Sequence, residues 1–77
     1  MKFNDEEINY IKGICKLVVN KKISVLNASD FLKRAYGFEY CAFSLDGKAI
    51  LRHISGEEIR FGGLVKNNEI NMRRRAR

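Results

Sequence analysis

The sequence lacks several features that would mark a particular class of protein. In 77 residues it has no proline and no tryptophan, and only two cysteines and one histidine. Two cysteines cannot build the disulfide framework of a small secreted domain, and a single histidine without metal-ligand spacing argues against a zinc site. Paired catalytic carboxylates and a glycine-rich phosphate loop are also missing. We therefore predict a protein that is not an enzyme and that binds no cofactor or metal.

Long apolar runs are missing too. No segment approaches the roughly 18 consecutive apolar residues of a membrane span. The N-terminus carries Asp5, Glu6 and Glu7 where a signal peptide would need an apolar stretch. Hydrophobic residues nevertheless make up 45% of the chain, which is typical of a packed domain. These features predict a single globular domain in the cytoplasm, with no membrane partner.

The positive charge is concentrated at the C-terminus. The chain has 15 basic and nine acidic residues, but residues 71–77 hold four arginines and no acid. We therefore predict a domain over residues 1–70 and a flexible basic tail over residues 71–77. Arginine side chains suit phosphate oxygens because their planar forks bind two oxygens at once. The tail thus predicts nucleic-acid contacts, although an acidic protein surface or simple solvation would also explain it; its arginines are Arg73, Arg74, Arg75 and Arg77.

The start of a first helix can be read from local sequence. Asn4 followed by Glu7 has the spacing of a capping box, which predicts a helix over about residues 5–21. Its apolar residues cover an arc of roughly 180° when successive residues are placed about 100° apart. Either the rest of the domain covers this whole arc, or one edge of it contacts another molecule. We choose Tyr10 and Leu17 as the partner-binding edge.

A second helix is predicted by a similar pattern. Asn27 followed by Asp30 repeats the capping spacing and predicts a helix over about residues 28–36. Gly37 follows directly, and glycine commonly ends a helix in the left-handed conformation.

Beyond Gly37 the pattern changes to short β-prone runs. Asp46-Gly47 and Ser55-Gly56 separate these runs and predict two-residue hairpin turns, and therefore an antiparallel meander. Whether residues 64–70 add a fourth strand is left open. The predicted fold is α+β, with two N-terminal helices packed on one face of a three- to four-stranded antiparallel β-meander. The predicted core face of the sheet carries Cys41, Phe43, Leu45, Ile50, Ile54, Ile59 and Phe61.

The opposite, outer face of the sheet offers candidate binding residues. The predicted register places Tyr40 and Glu58 on either side of His53, with Arg52 and Arg60 nearby. We select Tyr40, Arg52, His53 and Arg60 as the nucleic-acid-binding residues of the sheet. A histidine beside a glutamate and an arginine also suggests a small ribonuclease, while a plain surface pair is the simplest interpretation.

Two functions of different classes follow from these features. The first is a small non-enzymatic nucleic-acid-binding protein, with RNA slightly favoured over DNA, that uses the arginine-rich tail and the outer sheet face. The alternative is a phage or mobile-element protein that binds a host protein and inhibits or adapts it. A homodimer would also cover the apolar helix edge at Tyr10 and Leu17.

Overall fold

The chain folds as two helices followed by three strands. A computed structural model describes residues 2–65. Both helices pack on one face of an antiparallel sheet with strand order β1-β2-β3, which confirms the predicted α+β class. Residues 66–70 of the suggested fourth strand, and the basic tail, lie outside the described residues, and Leu64 and Val65 are not in a strand. The elements are α1 (Asp5–Val19), α2 (Val25–Tyr36), β1 (Phe38–Phe43), β2 (Ala49–His53) and β3 (Glu58–Phe61).

Helix α1 begins as predicted and ends earlier. The Asn4 side chain accepts a hydrogen bond from the Glu7 amide (2.8 Å), and the Glu7 carboxylate accepts one from the Asn4 amide (3.0 Å), so the capping box is confirmed. The helix ends at Val19 rather than at residue 21, because Lys21 takes a left-handed conformation (φ 63°). The Lys22 amide then donates to the Leu17 carbonyl (2.8 Å), a pattern that closes helices.

Helix α2 begins three residues before the predicted start. Its N-cap is Ser24, whose hydroxyl accepts a hydrogen bond from the Asn27 amide (3.1 Å), so the prediction of Asn27 as the cap is wrong. The physical reason is that both residues are good caps, and starting at Val25 adds almost a full turn of helical hydrogen bonds. The predicted end is confirmed, since Gly37 caps the helix with φ 81°.

The two hairpin loops hold three residues, and the predicted two-residue turns are wrong. In the first loop the Ser44 amide donates to the Lys48 carbonyl (2.9 Å), and in the second the His53 amide donates to the Glu57 carbonyl (2.8 Å). Gly47 and Gly56 each stand last in their loop, with φ of 93° and 97°. Three-residue hairpin loops require a left-handed residue at that place, which explains why glycine is there.

The longer loops change which side chains of the sheet face the helices. Cross-strand partners on the core face are Phe43, Ala49 and Phe61 in one row, and Cys41, Leu51 and Ile59 in the next. Four of these were predicted to face the core; Ala49 and Leu51 were not. The predicted core positions of Leu45, Ile50 and Ile54 are wrong: Leu45 is 87% and Ile54 69% exposed, and Ile50 pairs with Arg60 on the outer face.

The buried core lies between the helices and the sheet. Asn20 at the end of α1 donates to the Leu64 carbonyl (3.0 Å), and the Leu64 amide donates to the Gly47 carbonyl (2.9 Å). These bonds fold the segment after β3 back over the first hairpin loop and bury Leu64. The buried apolar side chains of the described part are Ile11, Ile14, Cys15, Val18, Ala28, Leu32, Phe38, Ala49, Leu51 and Leu64.

Candidate functional site

The outer face of the sheet carries one cluster of aromatic and charged side chains. Tyr40, Arg52 and Glu58 form one cross-strand row, and Arg60 lies in the adjacent row. The Arg52 guanidinium carbon lies 5.3 Å from the centre of the Tyr40 ring, within the range of a cation–π contact. Glu58 contacts both arginines, with oxygen-to-nitrogen distances of 3.6 Å to Arg52 and 3.3 Å to Arg60. The four side chains therefore form a continuous series of contacts from Tyr40 through Arg52 and Glu58 to Arg60.

A β-bulge at the start of β1 orients the aromatic member of this cluster. The register shifts between Phe38 and Tyr40, so that one extra residue, Glu39, stands on this strand. As a result Phe38 is buried, with 1% exposure, whereas Tyr40 is 48% exposed on the other face. In a regular strand, residues two apart such as Phe38 and Tyr40 would lie on the same face, so the bulge is what separates them.

His53 does not join the outer cluster, and its predicted pairing with Tyr40 and Glu58 is wrong. Its partner on β1 is Phe38. The imidazole lies edge-on against the rings of Phe38 (5.7 Å) and Phe3 (6.1 Å), and its Nδ1 accepts a hydrogen bond from the Ser55 amide (3.1 Å). The one-residue error in the first hairpin loop is the cause, because a shift of one residue turns every side chain of β2 to the other face.

The sequence points to most of the cluster but does not single out the role of Glu58. Arg52 and Arg60 were both selected for nucleic-acid binding, yet each pairs with the same carboxylate. The spacing of two between Glu58 and Arg60 on one strand is the signal that could have shown this, since such residues point the same way. The four predicted tail arginines lie beyond residue 65 and outside the described part of the chain.

The predicted partner-binding edge of α1 is exposed. Tyr10 is 55% and Leu17 44% exposed, although both belong to the apolar arc of the helix. Beside Tyr10 an apolar cleft of about 450 Å³ runs between the two helices. Its walls include the Phe31 ring, whose centre is 6.4 Å from that of Tyr10. Ile23 and Lys22, from the connection between the helices, line the same cleft.

The titratable groups with altered pKa values lie away from the outer cluster. Burial raises the pKa of the Cys15 thiol to about 12, and it also raises the pKa of Cys41. A hydrogen bond from the Ser44 hydroxyl lowers the pKa of Asp46 in the first hairpin loop. Among residues 2–65, no group of three or more histidine, cysteine or acidic side chains could hold a metal ion, and none of the described helices is long and apolar enough to cross a membrane.

Comparison with known proteins does not assign the chain to a family. No protein family matches the chain, and no curated protein or solved structure shows significant similarity to it.

Proposed function

We propose that this chain is a small non-enzymatic nucleic-acid-binding protein that prefers RNA to DNA. One observation carries the proposal: the sheet face that the helices leave open presents Tyr40 beside the Arg52 guanidinium, with Arg60 in the next row. Aromatic rings and arginine planes on an open sheet are surfaces on which unpaired bases stack. Stacking of this kind is worth about 1–3 kcal/mol per base.

The preference for RNA follows from the type of contact. A base can stack on Tyr40 only if it is unpaired, and RNA loops and single strands offer such bases far more often than duplex DNA. The face is also narrow, with three strands and two outward rows of the described sheet. It therefore suits a few nucleotides of a single strand.

The sheet face and the tail differ in net charge, and in this proposal they make different contacts with the nucleic acid. Arg52 and Arg60 share Glu58, so these three groups together carry a net charge of only +1. A weakly charged stacking surface would need additional phosphate contacts to hold a nucleic acid at physiological salt. In this proposal they come from the tail arginines Arg73, Arg74, Arg75 and Arg77, which hold the strand while the sheet face stacks its bases.

The proposal is binding without cleavage. RNA hydrolysis by acid–base catalysis needs a base within hydrogen-bond reach of the reacting hydroxyl. His53 packs against Phe3 and Phe38 on the other side of the sheet from Tyr40, and its Nδ1 already accepts a hydrogen bond. The open face therefore offers stacking and charge, with Glu58 held between two arginines.

Fluorescence anisotropy with single-stranded RNA and DNA of the same base sequence tests the proposal. We expect tighter binding to RNA, and a loss of about 1–3 kcal/mol on Tyr40→Ala, the value of one stacked base. Arg52→Ala should also weaken binding, whereas Arg34→Ala should not. Arg34 is a matched control because it too is exposed and paired with an acid, Asp30 (3.3 Å), but lies on α2.

The tail is tested separately by its dependence on salt. Replacing its four arginines with glutamine removes up to four phosphate contacts and should reduce the slope of log affinity against log salt by about 3 on a single strand. Unchanged binding by the Tyr40 and Arg52 variants would remove the sheet face from the proposal. Failure of the wild-type protein to bind either nucleic acid would overturn the proposal as a whole.

A second candidate function is favoured by the exposed edge of α1. Tyr10 and Leu17 are apolar arc residues that the rest of the described domain leaves about half open. Such an edge is typical of a protein-binding surface. In this candidate the chain is a phage or mobile-element protein that inhibits or adapts a host protein. Affinity capture from a host lysate, with and without nuclease, separates the two functions, because nuclease would release only partners held through nucleic acid.

A further inference from the structure

One side of α1 presents a regular row of residues that point away from the core. Glu6, Tyr10, Gly13 and Leu17 follow each other at spacings of four, three and four, so they lie within an arc of about 60° on the helix. All four are exposed. This row, called here the α1 ridge, has the spacing with which helices pack along one another.

The charge along α1 is strongly uneven. Three acids, Asp5 to Glu7, form its first turn. Residues 8–29 then contain four lysines and no acid. None of these lysines makes an ion pair in the part of the chain that the structure describes. Two of these lysines, Lys12 and Lys16, lie outside the arc of the ridge. The other two, Lys21 and Lys22, follow the end of α1, and Lys22 lines a shallow pocket with Gly13 and Leu17. The ridge therefore begins at the acidic first turn of α1 and ends at a basic segment.

We propose that the α1 ridge binds a second copy of this chain, with the two α1 helices antiparallel and a two-fold axis near Gly13. This arrangement sets Tyr10 against Leu17 of the second copy. It also sets Glu6 against Lys21 and Lys22 of the second copy, and the same contacts form again on the other side of the axis. A surface whose two halves complement each other across a two-fold axis meets the requirement for a symmetric dimer. A parallel arrangement would instead place like charges together.

Gly13 supports this choice of axis. A Cβ atom at this position would meet nothing within 4 Å among residues 2–65, so no contact within the described part of the chain requires a glycine there. Glycine weakens a helix interior relative to alanine. At the crossing point of two helices, however, its missing side chain lets the backbones come close. The apolar cleft beside Tyr10, lined also by Ile23 and Phe31, provides a recess next to this crossing.

A charge-reversal experiment with purified full-length protein, freed of nucleic acid, tests the dimer. Sedimentation velocity over a range of concentrations should show a dimer that weakens as salt is added. Glu6→Lys and Lys22→Glu each create like-charge contacts in the homodimer and should raise the dimer dissociation constant at least about tenfold. An equimolar mixture of the two variants should restore dimers. The lysine introduced in one variant then faces the glutamate introduced in the other, and the unchanged Glu6 faces the unchanged Lys21 and Lys22.

Matched controls change the same charges off the ridge. Asp5→Lys lies in the same first turn as Glu6, and Lys12→Glu lies on the opposite side of α1 from Tyr10. Both should dimerise like the wild type. Gly13→Gln should weaken the dimer while raising the stability of the dilute monomer, a combination that a purely structural role for Gly13 would not produce. A wild-type protein that stays monomeric throughout, or a mixture that fails to restore dimers, would overturn the proposal.

Discussion

At the scale of single residues, two glycines occupy opposite environments. Gly13 lies in the middle of α1, and no atom of the described residues comes within 4 Å of the position of a Cβ atom. Gly47 ends the first hairpin loop with φ 93°, and a Cβ atom there would lie 3.0 Å from the Val65 amide nitrogen. The first glycine is therefore dispensable for the fold of one chain, whereas the second is required by both its conformation and its neighbours.

Alanine substitution should separate these two positions. Gly13→Ala should raise the free energy of unfolding by up to about 1 kcal/mol, because alanine favours the helix and meets no obstacle. Gly47→Ala should lower it by at least about 1 kcal/mol, since alanine is strained at positive φ. Urea unfolding of dilute protein, followed by circular dichroism, measures both changes. A Gly13→Ala protein that is less stable than the wild type would contradict the open environment of Gly13.

At the scale of elements, the helices show what local sequence can and cannot decide. The start of α1 was predicted correctly because the capping box is local: the side chain of each of Asn4 and Glu7 bonds to the backbone amide of the other. The start of α2 was missed because Ser24 and Asn27 stand three residues apart and either can cap a helix. Local sequence patterns do not distinguish these two residues, so the start of α2 depends on how many helical residues can pack against the rest of the fold.

The cap of α2 can be identified by two substitutions. Ser24→Ala should cost about 1 kcal/mol of unfolding free energy, the typical value of an N-cap side chain. Asn27→Ala should cost little or should stabilise slightly, because Asn27 lies inside the helix, where alanine is preferred. Thermal and urea unfolding of both variants give the comparison. Equal losses for the two variants, or a larger loss for Asn27→Ala, would count against Ser24 as the cap.

At the scale of the whole molecule, the arrangement of layers was predictable and the faces of the sheet were not. Helix and strand patterns are local, and they correctly gave two helices over an antiparallel meander. Tyr40 and Arg60 were correctly assigned to the outer face. His53, however, was assigned to the wrong face. Its orientation depends on whether the hairpin loop has two or three residues. Glycine is common in loops of both lengths, so the sequence does not distinguish them.

Global stability should depend on pH through the thiol of Cys15. Its pKa is raised by burial from an ordinary value of 9.0 to about 12 in the folded chain. Because the folded state favours the protonated thiol, this contribution to stability is complete below pH 9.0 and is lost progressively as the pH rises toward about 12. Burial acts in the same direction on Cys41.

The measurement compares how steeply the free energy of unfolding falls with pH in two proteins, because other groups also titrate at high pH. The free energy of unfolding of the wild-type protein should fall with pH more steeply than that of Cys15→Ala, by up to about 1.4 kcal/mol per pH unit. Cys15→Ala will be less stable at every pH because it leaves a cavity, so only the difference in slope is informative. Parallel slopes for the two proteins would contradict the altered pKa of Cys15.

The odd number of residues in each hairpin loop constrains how this sequence can change in length. Because side chains alternate along a strand, deleting Leu45 would turn β2 over, exchanging Ala49 and Leu51 for Ile50 and Arg52 at the core, and β3 would turn with it. A second deletion, at Ile54, would return β3 alone to its original face. We therefore expect insertions and deletions in these loops to be tolerated only in even numbers, even where single substitutions at the same exposed positions are harmless.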